Sequence, residues 1–160
     1  MCKRAARANM RCMLLTGSDT IDAQRAFVRA RRARRRAAVA RWLRRVPAEC
    51  RRLAVFDESK LRGAVGGPVR GIREIPVEAI CGTLEPSRAR LFDDRFRPAA
   101  SARPRWERLW VAEHRGTVLP PISVVPIGDC YLVRDGHHRV SVALARGAAT
   151  IDATVDTITG

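Results

Sequence analysis

The apolar and polar positions of this chain fall into readable blocks, most clearly toward its end. Ile122 to Ile127 is a β-branched run that predicts a strand. Gly128-Asp129 is a two-residue hairpin turn, and Cys130 to Arg134 is the returning strand. Asp135-Gly136 then turns into a helix, His137 to Arg146, closed by Gly147. A last strand alternates, with Ile151, Ala153 and Val155 facing inward and Asp152, Thr154 and Asp156 outward. Upstream, residues 104–115 predict a helix: Pro104 suits its first turn, Trp106, Leu109 and Trp110 share one face, and Gly116 ends it. Residues 74–84 read as one strand and 85–103 as a long loop anchored by Phe92 and Phe96.

The first half has a different pattern. Residues 19–46 predict one long helix, with Asp19 or Thr20 as its cap and Pro47 as its stop. Ala23, Ala26, Ala30, Ala33, Ala37 and Ala40 form a smooth stripe. Val39, Trp42, Leu43 and Val46 form a second apolar face, through which the helix could dock. Residues 47–73 are a Gly- and Pro-punctuated connector with little core, and 1–18 are a basic, unperiodic arm expected to be disordered. The expected architecture is α+β: a small mixed sheet with helices on one side, preceded by a long basic helix. The expected divisions are 1–18, 19–73 and 74–160. The expected core is Ile75, Val77, Ile80, Trp106, Leu109, Trp110, Ile122, Val124, Tyr131, Val133, Val140, Leu144, Ile151 and Val155.

Composition narrows the function. With 160 residues and 46% hydrophobic content the chain has the material for one core, and no apolar run is long enough for a membrane span or a secretion signal. The five cysteines are scattered, with no Cys-x-x-Cys, so neither a disulfide framework nor a zinc site is expected. A cytoplasmic location follows from that. Charge is unevenly placed: 20 Lys/Arg against 6 Asp/Glu in residues 1–75, but 11 against 10 in 76–160. A preference for Arg over Lys reflects nucleotide composition as readily as function, but the excess over acids in one half does not. Polyanions are the natural partners of such a field: DNA, RNA or an anionic membrane surface. Arg29, Arg31, Arg32, Arg34, Arg35 and Arg36 either meet a phosphate backbone or belong to a solvated helix docked only through its Trp42 end. The expected partner is nucleic acid, not membrane.

The chemistry gathers at Asp135-Gly136-His137-His138-Arg139, where a strand hands over to a helix. First-turn N–H groups have no internal partner, the helix dipole is positive there, and Gly136 lets an anion approach. His137 and His138 add donors, and Arg139 could hold two phosphate oxygens. Asp135 can cap the helix, or could instead hold a ribose hydroxyl, a metal or an attacking hydroxyl, the last as a catalytic base. The bland alternative makes it only a cap and the histidines exposed. Adjacent histidines diverge on a helix, so no metal site is expected.

The stretch Leu119 to Val155, LPPISVVPIGDCYLVRDGHHRVSVALARGAATIDATV, closely resembles the ParB/sulfiredoxin superfamily, in particular stand-alone ParB-like N-terminal domains. The resemblance extends over about residues 74–157. It implies a nucleoside triphosphate, CTP or ATP, at the helix start, with Mg2+ as a candidate companion. It also implies a DNA-linked regulatory or partition-type role. In partition proteins the matching segment is Gly-Glu-Arg-Arg; Gly136 and Arg139 match, while His137 and His138 do not. In sulfiredoxins it is Gly-Gly-Cys-His-Arg; His138 and Arg139 match, but His137 replaces the catalytic Cys, which argues against sulfinic-acid reduction. Free-serine kinases of the superfamily carry motifs similar to Asp-Gly-His-x-Arg. A small ATP- or ADP-dependent phosphotransferase using Asp135 is therefore the competing expectation, and whether the protein is an enzyme stays open. No helix-turn-helix pattern follows the last strand, so DNA contact is expected to be nonspecific. Oligomeric state is not legible.

Overall fold

A computed structural model describes residues 17–47, 52–61 and 71–156. Most of the basic arm, residues 1–16, lies outside them. The elements are α1 (Asp19–Leu43), β1 (Ile72–Pro76), β2 (Ile80–Thr83), a short helix α2 (Pro86–Ala89), α3 (Arg103–His114), β3 (Ile122–Ile127), β4 (Cys130–Asp135), α4 (His137–Arg146) and β5 (Thr150–Val155). They form an α+β fold around a five-stranded mixed sheet of order β1-β5-β3-β4-β2. β3–β4 is the expected hairpin, with Val124 opposite Val133. β5 lies parallel to β3 and antiparallel to β1.

The single strand expected over 74–84 is instead two. A 3-10 turn at Val77–Ala79 interrupts it, so β1 pairs with β5 at one edge and β2 pairs in parallel with β4 at the other. Val77, the first residue of this turn, and Ile80, which follows it, both reach the same core cluster, which a straight strand could not achieve with odd spacing. The long loop after β2 carries α2 and a 3-10 turn at Ala100–Ala102 before α3. Phe92 and Phe96 anchor it as expected, both buried, with Phe96 held at φ 52°.

The sheet is covered on both faces. Val124, Val133, Val140, Phe92 and Leu53 belong to the larger cluster, while Val125 and Leu132 pack against Leu61 and Leu84 on the other side. Residues 53–61 therefore contribute to the core more than their composition suggests. Tyr131, Leu109, Leu144 and Ile151 of the expected core are only partly buried.

α1 docks through the opposite end from the one its apolar pattern suggests. Ala23, Ala26 and Phe27 pack on Trp106 and Trp110 of α3, with Phe27 edge-on to Trp106 at 5.5 Å. The Val39-Trp42-Leu43 face is exposed. Small alanines let the helix approach closely beside one large ring, whereas the bulkier pattern finds no facing element. Ser18, not Asp19 or Thr20, occupies the cap position, without a side-chain cap bond; Asp19 is the first helical residue and pairs with Arg115, 2.7 Å away.

One expectation about cysteines is corrected. Cys81 of β2 and Cys130 of β4 form a disulfide across the sheet edge, their Cα atoms 6.0 Å apart. A separation of 49 residues gives no sequence signal for this pairing; it exists because the two strands are neighbours. It also removes the cysteine argument for a reducing compartment. Among the described residues no helix is long and apolar enough to cross a membrane.

Candidate functional site

The strand-to-helix junction is built around Gly136. It sits at φ 100°, and a Cβ there would lie 2.4 Å from the Ile122 side chain. Gly is thus required by backbone conformation and by the packing of α4 against β3, before any ligand is considered. Gly136 itself is the N-cap residue and no side chain caps the helix, so Asp135 is not the cap.

Asp135 instead pairs with Arg139 one turn on, Oδ2 to Nη2 at 2.7 Å. The other terminal nitrogen of Arg139 donates to the carbonyls of Pro120 and Pro121. Two consecutive prolines have no N–H to tie their own segment down, and Arg139 does so from α4. The side chain expected to bind phosphate is therefore already engaged within the fold and is largely buried.

His137 and His138 are buried, which excludes the exposed alternative. His137 Nε2 lies 2.6 Å from Thr83 Oγ1, which also accepts from Glu85 N at 2.8 Å and reaches Val133 O at 3.1 Å. Giving the hydroxyl proton to Val133 satisfies all three contacts if His137 carries its proton on Nε2. Phe92 lies parallel to the His137 ring at 6.4 Å and edge-on to His138 at 5.1 Å. Burial pushes both imidazoles down to about 4. For His137 the nearby Asp135 opposes this and Arg88 adds to it. For His138, Arg105 and then Arg88 add to the effect of burial. Both rings are neutral at pH 7 and supply no charge.

A cavity of about 130 Å³ opens beside them, lined by Arg88, Arg105, Leu109, Pro120, Asp135 and the first turn of α4. Arg88 comes from α2 and Arg105 from α3; both are exposed, and neither forms an ion pair among the described residues. These two were missed at the sequence level. They lie 49 and 32 residues before the helix start, Arg88 in a segment expected to be loop and Arg105 on the polar side of another helix. Among the described residues no group of histidines, cysteines and carboxylates could hold a metal ion.

The six arginines expected on nucleic acid divide as well. Arg34 donates to the carbonyls of Leu91 at 3.1 Å and Arg97 at 3.2 Å, pinning α1 to the loop after α2. Burial lowers its pKa. Arg29, Arg32, Arg35 and Arg36 are exposed, and Arg31 is half-buried.

No family model matches the chain, and no curated protein matches it. Among solved structures it is similar to sulfiredoxin from Arabidopsis thaliana. The two are 23% identical; the match covers 54% of this chain and 85% of that one, with a TM-score of 0.39. At this identity and score the likeness assigns no activity.

Proposed function

We propose that this protein binds a phosphate-bearing ligand, a nucleoside triphosphate such as CTP or ATP, at the amino end of α4. Nonspecific DNA contact would run through the arginines of α1. The observation that carries the reading is the pair of unneutralised guanidiniums, Arg88 and Arg105, on the walls of a cavity whose floor is a helix amino terminus. Helix N–H groups and the dipole favour an anion there, and two free arginines add charge-assisted donors. The single carboxylate at the site, Asp135, is neutralised by Arg139 and does not oppose an anion. The roles differ from those the motif suggests. Arg88, Arg105 and the backbone of His137 to Arg139 would meet phosphate. Gly136, His137, His138 and Arg139 side chains would hold that backbone in place. Mg2+, if required, would arrive with the nucleotide.

The phosphotransferase reading rests on Asp135 as base. Its side chain is 70% exposed at the cavity edge, accessible to an acceptor hydroxyl, but its Oδ2 is occupied by Arg139. Binding without turnover is the better-supported mode.

The test is a thermal-shift and calorimetric titration with inorganic phosphate, CTP and ATP, each with and without Mg2+, on wild type and on R88A/R105A. Stabilisation of wild type by a phosphate ligand, lost in the double variant with unchanged ligand-free melting, is expected. No stabilisation at low salt refutes the reading. Product formation from ATP that disappears in D135N favours the enzyme instead. DNA affinity should fall with salt; the logarithmic slope is about −0.9 per phosphate neutralised.

A further inference from the structure

The free end of α1 carries a surface that the phosphate site does not explain. Trp42 is 67% and Leu43 68% exposed, although the chain's other two tryptophans, Trp106 and Trp110, are buried at 0% and 2%. Trp42 lies two turns beyond Arg35 and three beyond Arg31 on one side of the helix, so Arg35 and Trp42 stand about 10 Å apart along its axis. Arg25, Arg32 and Arg36 run alongside, and Arg44 and Arg45 follow immediately. None of Arg25, Arg32, Arg35, Arg36 and Arg44 forms an ion pair among the described residues. Arg41, by contrast, is held by Asp94.

An indole left in water costs apolar exposure, and a row of unpaired guanidiniums on one helix repels itself. Both are relieved by a partner that offers phosphates and flat aromatic faces together. We propose that the outer face of α1 is a single-strand nucleic-acid surface. Arg25, Arg32, Arg35 and Arg36 would follow the phosphates and Trp42 would stack on an unpaired base. The proposal rests on the nucleic-acid part of the function proposed above and names the form of the nucleic acid. Duplex DNA satisfies the arginines but hides its base faces, leaving Trp42 without a partner. A lipid surface satisfies Trp42 and Leu43 but demands a continuous apolar strip, and here Arg25, Arg32, Arg35 and Arg36 interrupt Ile21, Val28 and Val39.

The experiment uses the full chain with three probes: fluorescein-labelled oligothymidylate, a duplex of equal length, and phosphatidylglycerol vesicles. With Trp106 and Trp110 buried, changes in tryptophan emission on binding report Trp42. Oligothymidylate is expected to quench that emission and to bind more tightly than duplex. W42A should weaken oligothymidylate binding about five- to a hundredfold, the worth of one stacked base, while leaving duplex binding unchanged. W42F should retain most of the affinity. Ligand-free melting of both variants should match wild type, since the indole packs on little. R32E/R35E/R36E should remove binding to both nucleic acids. Equal loss on both nucleic acids in W42A, or no quenching, overturns the single-strand proposal while leaving nonspecific DNA binding intact. Binding of neither nucleic acid at low salt overturns both. A blue shift with vesicles and none with oligothymidylate assigns the face to lipid.

Discussion

Arg139→Ala separates the two roles that the motif and the fold give this residue. The guanidinium is largely buried and makes three charge-assisted contacts, to Asp135, Pro120 and Pro121. Each such bond contributes roughly 1.5–3 kcal/mol. Not all of that is lost, because the Asp135 carboxylate and the exposed Pro120 recover water when the partner is removed. The half-buried Pro121 carbonyl recovers less, and the aliphatic stem of Arg139 leaves a gap under the helix start. One bond to a poorly rehydrated acceptor plus lost packing gives a destabilisation of about 2–4 kcal/mol. For a chain of this length that lowers the melting temperature by roughly 5–15 °C. The measurement is ligand-free thermal or urea unfolding of R139A and R139K, followed by phosphate titration of the folded fraction. R139K should recover only part of the stability, since an ammonium cannot span Asp135 and the diproline with a planar fork. Melting within a degree or two of wild type, combined with lost phosphate binding, would refute the reasoning. Arg139 would then be a ligand group and not the strut described.

The two buried histidines make stability pH-dependent. Their folded-state values of about 4 lie below the ordinary 6.5, so the unfolded chain takes up more protons between those limits. Stability should be flat above pH 6.5, fall as pH drops from 6.5 to about 4, and lose roughly 2–3 kcal/mol per histidine; urea midpoints across that range check it, and H137N/H138N should flatten the slope. G136A combines φ 100° with a 2.4 Å approach to Ile122 and should destabilise by several kcal/mol in ligand-free unfolding. R34A should lower stability by about 1–3 kcal/mol, because it unpins α1 from the carbonyls of Leu91 and Arg97, whereas R32A should leave unfolding unchanged. Reduction of Cys81–Cys130 should cost about 2–4 kcal/mol in the same assay, measured with and without dithiothreitol.

The sequence by itself determined the elements whose signals are short. The β3–β4 hairpin follows from β-branched runs around Gly128-Asp129, and α4 begins and ends at glycines that the backbone holds at positive φ. Those two facts place the candidate site at Gly136–Arg139 without any structure. Tertiary packing decided everything that depends on who stands opposite. It split residues 74–84 between the two edges of the sheet and bonded Cys81 to Cys130. It turned α1 so that Phe27 is covered and Trp42 is not. It also redistributed the chemistry. Arg139 and Arg34, conspicuous in the motif and the basic run, are spent on carbonyls. Arg88 and Arg105, inconspicuous in sequence, converge on the cavity. The physical reason is range. Caps, turns and alternation act over a few residues and are written locally. Desolvation, ion pairing and hydrogen-bond satisfaction depend on neighbours dozens of residues away, and no periodicity records them.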